Sequence, residues 1–139
     1  MGGLIGVRSQ RSARHDAELR EQRERAAHRR EILRQAVDAL LVSAQEVDQV
    51  VNHRPDRDPP TIHLLWLNYH RLAIIASSQL RKPAKEFADA LNEAFWHGTP
   101  DGEEVWEYLH VFRERFDTAA HRELDEEVSP STPARDQEA

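Results

Sequence analysis

The sequence predicts an all-α protein, an antiparallel up-down four-helix bundle whose first helix carries a long, charged N-terminal extension. Apolar residues recur three and four apart in four separate stretches, the spacing of one helix face. Glycine and proline are few, five and seven in 139 residues, and most fall between or at the ends of those stretches. Charged side chains, 32% of the chain, fill the alternate positions and supply the wet faces. Short connections then force successive helices to run in opposite directions. At this length one domain with a real core is expected, spanning residues 9–128.

The first helix is placed at 9–52. Leu33, Val37, Leu40, Leu41, Ala44, Val47, Val50 and Val51 make one apolar face on its second half, which needs partner helices to cover it. Residues 9–31 are nearly all Arg, Glu, Gln and Ala, good helix formers that leave the extension solvated. Asp16 with Arg20 and Glu21 with Arg25 are i,i+4 pairs, each contributing only ~0.2–0.5 kcal/mol. Leu19 is the single large apolar residue there, so a coiled-coil seam has little support. Residues 1–8 are expected to be disordered.

Three prolines between Asn52 and Pro60 end this helix. The second is placed at 60–80, where Ile62, Leu64, Leu65, Trp66, Leu67, Tyr69, Leu72, Ile74, Ile75 and Leu80 cover much of the circumference, so it is predicted to be the most buried. Pro83 reads as the first residue of a third helix, 83–97, with a stripe of Ala84, Phe87, Ala88, Leu91, Ala94 and Phe95 and a stop at Gly98. The fourth, 100–126, opens with Asp101 and Glu104 at capping-box spacing and lines up Val105, Leu109, Phe112, Phe116, Ala119, Ala120 and Leu124. Residues 129–139 are expected to be disordered.

Topology extends these expectations. Leu40, Ile74, Leu91 and Phe112 should all point inward. Val51, Trp66, Trp96 and Trp106 should share one layer as an aromatic cap. At the other pole Glu123, Asp125, Glu126 and Glu127 carry the wrong charge for a helix C-terminus. Arg29, Arg30 and Arg34 of the first helix are expected to face them.

Composition narrows the function. There is no cysteine, which removes disulfides, thiolate metal sites and a cysteine nucleophile. No run approaches the ~20 apolar residues of a membrane span, so a cytoplasmic protein, free or membrane-associated, is the expectation. Residues 1–34 hold nine arginines against five acids, hence +4, while the rest of the chain carries −10. Arg8, Arg11, Arg14, Arg20, Arg23 and Arg25 are therefore candidate contacts for a partner or for anionic lipid. Nucleic acid is disfavoured, because interleaved acids cancel much of that charge and no aromatic residue accompanies it. His53, His63 and His97 could gather at the aromatic pole with Asp56, Asp58 and Asp101 as a pocket. The Glu-x-x-His unit at Glu107 and His110 has no second copy, so a di-metal site is not expected. No nucleophile triad, phosphate loop or nucleotide motif occurs.

The opening Gly2-Gly-Leu-Ile-Gly6, the run from Arg14 to Arg25, Arg29-Arg-Glu-Ile-Leu-Arg-Gln-Ala-Val-Asp-Ala-Leu-Leu41 and Phe116-Asp-Thr-Ala-Ala-His-Arg-Glu-Leu124 resemble a loose group of uncharacterised actinobacterial helical proteins. The resemblance covers about residues 3–125. It implies a Gly/Ala/Leu-rich membrane span ahead of the arginine-rich helix, which would then be a cytoplasmic stalk, and it implies no catalytic residue. This chain departs by lacking the span: either it is a soluble member, or Leu4 to Val7 is the last turn of a helix that begins upstream.

The leading expectation is a non-enzymatic helical interaction or scaffold module without catalytic residues, cofactor or metal, binding another protein or itself through the first helix. A membrane-proximal domain docking on anionic lipid is the alternative, and a metal- or ligand-binding helical protein the third.

Overall fold

The computed structural model describes residues 2–53 and 59–128, with side chains for 10–53 and 59–126. Four helices follow one another: α1 (Gly2–His53), α2 (Pro59–Ile75), α3 (Ser78–His97) and α4 (Val105–Val128). They form the antiparallel bundle that the sequence predicts, and no strand occurs among the described residues. α1 packs on α2 and α4, α3 on α4 and α2, and α1 also touches α3 across the core. The connection 54–58 and the tail 129–139 lie outside the described residues.

The core sits against the second half of α1 only. Leu33, Val37, Leu40, Ala44, Val47 and Val50 are buried there. They meet Leu65 and Leu72 of α2, Phe87, Leu91 and Phe95 of α3, and Leu109, Phe116 and Ala120 of α4. Phe87 and Phe116 stack with centroids 5.9 Å apart. One polar pair crosses this interior. Asn68 donates from Nδ2 to Ser43 Oγ at 2.5 Å and to the Ala39 carbonyl at 3.3 Å, which fixes the register of α2 on α1.

Several boundaries differ from the sequence reading. α1 begins at Gly2 rather than near residue 9, because extending an existing helix is far cheaper than nucleating one and the following run propagates it back. α2 ends at Ile75, and α3 starts at Ser78, so Pro83 lies inside α3 rather than opening it. The reason is Ser77, whose Oγ accepts the Leu80 N–H at 3.4 Å as an N-cap. Ser77 is held in turn by Glu123 of α4. One carboxylate oxygen takes the Ser77 N–H at 3.1 Å and the other takes its hydroxyl. Arg81 closes the preceding end, donating Nε to Ala73 O at 3.2 Å and Nη2 to Ala76 O at 3.1 Å. Glu123 therefore caps a neighbouring helix instead of turning to the arginines, and Arg34 pairs with Glu31 on its own helix at 3.5 Å. The side chain of Glu127 lies outside the described residues.

Gly98 does stop α3, at φ 80°, with its N–H on Ala94 O. The expected Asp101/Glu104 capping box does not form. Asp101 sits at φ 54° inside a short 3-10 turn, Pro100–Gly102, and α4 starts at Val105 with Tyr108 N–H on Glu104 O at 3.0 Å. α2 is not the most buried helix. Its buried residues are Ile62, Leu65, Asn68, Tyr69 and Leu72, with Trp66 and Ala73 partly covered, whereas the buried stripe of α3 runs from Leu80 to Phe95. Ile74, expected in the core, is 82% exposed, because two residues beyond Leu72 a helix has turned most of the way to the opposite side.

Candidate functional site

The extension of α1 is a bare helix. From Gln10 to Ile32 the side chains are exposed, apart from partial cover at Leu19 and Ala26. Glu21 and Arg25 form the expected pair at 3.4 Å, with both side chains mostly in solvent. Arg11, Arg14, Arg20, Arg23 and Arg25 are all exposed, while the side chain of Arg8 lies outside the described residues. At about 100° per residue Arg11, Arg14 and Arg25 fall on one side of the helix and Arg20 and Arg23 on the other. A flat anionic surface could reach only one set at a time, so the arginines are spread rather than gathered.

His53 ends α1, His63 lies in the second turn of α2 and His97 ends α3, and all three are exposed. No group of three His, Asp or Glu among the described residues could hold a metal ion. Asp56 and Asp58 fall in the connection outside the described residues. His110 meets Glu114 at 3.2 Å on the surface of α4.

The aromatic cap does not assemble. Trp66 enters the α2–α3 interface and donates Nε1 to Asn92 Oδ1 at 3.2 Å. Trp96 lies edge-on to Phe95 on its own helix, and Trp106 is 63% exposed beside a cleft between α1 and α4. Helical phase explains the scatter: each indole is next to or one turn from a core residue, so each leaves the bundle in its own direction. At that pole Tyr108 titrates above its ordinary value of 10.0, because burial disfavours the phenolate and the Glu93 and Glu103 carboxylates add to the effect.

Three surfaces stand where sequence reasoning placed none. The outward face of α2 carries Leu64, Leu67, Ile74 and Ile75, between 40% and 82% exposed, with Arg71 among them. Its positions 64, 67, 71, 74 and 75 follow the three-and-four rule as well as the buried face does, and that spacing was the available signal. The second surface is a cleft of about 170 Å³ floored by Phe87, Leu91 and Leu109 and rimmed by Asp48, Trp106 and Arg113. It is smaller than an ordinary small-molecule pocket, ~300–1,000 Å³. The third is a groove of about 300 Å³ along one flank of α3, bordered by Tyr69 of α2. Trp66, Tyr69 and His70 form an aromatic cluster at this interface, with Tyr69 and His70 centroids 5.3 Å apart. In the groove Lys85 donates to Asp89 at 2.9 Å, and that hydrogen bond, with the carboxylate's charge, holds the ammonium pKa above its usual range.

None of the described helices is long and apolar enough to cross a membrane. No protein-family model, curated protein or solved structure matches the chain.

Proposed function

We propose that the protein is a helical interaction module that pairs through the outward face of α2, with a second copy of the chain as its partner. The observation that carries this reading is the apolar stripe Leu64, Leu67, Ile74 and Ile75 on a helix with no acidic residue. Single exposed aliphatics are ordinary, but four on one helix face, interrupted only by Arg71, make an apolar patch larger than scattered exposure leaves.

Their summed exposure equals about two fully exposed aliphatic side chains, and covering it would contribute roughly 3–6 kcal/mol. A two-fold pairing covers the strip on both copies at once, hence about 6–12 kcal/mol. Association costs ~4–15 kcal/mol and offsets most of that gain, so the expected dimer is weak, with a dissociation constant on the order of micromolar at its tightest and about millimolar for a net ~4 kcal/mol. A partner that met the strip with a polar face would gain only half as much, whereas a second copy brings an equal apolar strip of its own. The extension contributes little to this pairing, since Leu19 is its one large apolar side chain among the described residues.

Sedimentation equilibrium across a concentration series tests the reading. The wild type should pass from monomer to dimer, while Leu67→Glu and Ile74→Glu should stay monomeric with unchanged circular dichroism, because both positions face solvent. A wild type that remains monomeric near millimolar concentration would sink it. A dimer that survives both substitutions but disappears on removal of residues 1–29 would move the contact to the extension.

A further inference from the structure

The cleft between α1 and α4 is lined by two opposite charges that are not each other's partners. Asp48 of α1 accepts Asn52 Nδ2 on one carboxylate oxygen at 3.1 Å, and Arg113 of α4 reaches Asp117 through Nε alone, at a long 3.9 Å. The second carboxylate oxygen and both terminal guanidinium nitrogens have no partner among the described residues. His110, on the same wall, already faces Glu114 at 3.2 Å. Between the two charges the floor is apolar: Phe87, Leu91 and Leu109 are each 7% exposed or less.

Three contacts place these groups along the bundle. Asn68 binds between Ala39 and Ser43, Trp66 binds Asn92, and Phe87 stacks on Phe116. Counting along antiparallel helices from those contacts brings Ser43, Asn92 and Val111 to one level. Asp48, five residues further along α1, is therefore level with Trp106, five residues back along α4. Arg113 stands about 10 Å from that level along the axis. Side chains tilt toward the N-terminus of their own helix, and α1 and α4 run in opposite directions, so Asp48 and Arg113 lean toward each other over the floor. The gap left for a ligand is shorter than the axial separation. Trp106, 63% exposed at the carboxylate end, adds an indole, which attracts a cation and covers an apolar stem.

We propose that this cleft binds an ω-amino carboxylate, with its ammonium at Asp48 beside Trp106, its alkyl chain over Phe87, Leu91 and Leu109, and its carboxylate on Arg113. Size sets the length. At ~30 Å³ for a water-sized group, a cleft of about 170 Å³ has room for roughly six, which suits a chain of four or five methylenes with its heads at the open ends. A ligand with a single charge meets repulsion at the other end, from Asp48 if it is an anion and from Arg113 if it is a cation. The site makes no use of the outward face of α2, so it stands apart from the pairing.

The test titrates the full ¹⁵N-labelled chain with 6-aminohexanoate, hexylamine, hexanoate and Nα-acetyllysine in turn. 6-Aminohexanoate should shift the amides of residues 44–48 and 106–113 saturably, at about millimolar concentration. Hexylamine and hexanoate should bind about fivefold more weakly or worse. Nα-acetyllysine carries the same two charges beside a peptide-like amide. If it binds more tightly than 6-aminohexanoate the natural source is a lysine that ends a peptide, and if more weakly, a free amino acid. Asp48→Asn keeps an acceptor for Asn52 and Arg113→Gln changes an exposed position, so both should retain the wild-type circular dichroism. Each should weaken 6-aminohexanoate about fivefold or more, while Arg115→Gln in the α3–α4 groove leaves it unchanged. Hexanoate should lose nothing in Asp48→Asn, which separates loss of a charge from loss of shape. The proposal is overturned by no saturable shift with 6-aminohexanoate at ten millimolar, by hexylamine or hexanoate binding as tightly, or by either cleft variant binding as the wild type does.

Discussion

Asn68 is the residue on which the interior is most exacting. It shares a nearly dry space with Ser43, and neither side chain can turn to water instead. Asn68→Leu alone should cost about 1–3 kcal/mol, since Ser43 loses its partner, whereas Ser43→Ala with Asn68→Leu should recover most of that loss in urea unfolding. Such a polar pair is hard to read from the sequence, where an asparagine between Leu67 and Tyr69 looks like a solvent position. Leu40, Leu65, Leu91 and Phe116, by contrast, were legible from spacing alone. Tyr108 gives a second residue-level expectation. Its folded pKa lies above the ordinary 10.0, so the protonated phenol's contribution is complete below that value and is lost as pH rises through the folded pKa. Tyr108→Phe should therefore soften the fall in stability on the alkaline side, as followed by denaturation between pH 9 and 11.

Among the elements, the turn from α2 to α3 shows why local sequence placed helices well and their ends poorly. Ser77 is a sound cap by itself, but what fixes it is Glu123, 46 residues away. No window of local sequence contains both. Glu123→Ala should destabilise the protein by about 0.5–2 kcal/mol, the range of a lost N-cap, and Glu123→Lys by more because it places a cation at the positive end of α3. Pro83 acts in the other direction. Past the first turn of α3 its missing N–H leaves the Gln79 carbonyl to water, and Pro83→Ala should raise stability by about 1–3 kcal/mol in the same assay. The result also decides whether the ring's place beside Val111 and Ala119 has any compensating packing value.

For the whole molecule, the four-helix plan and the wet extension could be read in advance because both depend on pattern summed over many residues. The outward face of α2 could not. A helix that is apolar most of the way round does not announce which side its neighbours will cover, and that choice comes from the Asn68–Ser43 register and from the position of α3. The tyrosine groove escaped for a similar reason, since its two walls come from different helices. The bundle itself should not need the extension. A chain lacking residues 1–29 should keep the melting temperature of the parent, with the loss confined to the helical signal of the missing residues.

α1 passes from solvent into the core without a break, and this settles how anything held at its tip relates to the bundle. Some thirty residues of helix make a strut of about 45 Å, whereas a flexible linker of that length would average roughly 30 Å and point anywhere. Whatever anchors the far end thus sets both a stand-off and a heading for the globular part, and a glycine pair introduced near Ala26 would turn that boom into a leash.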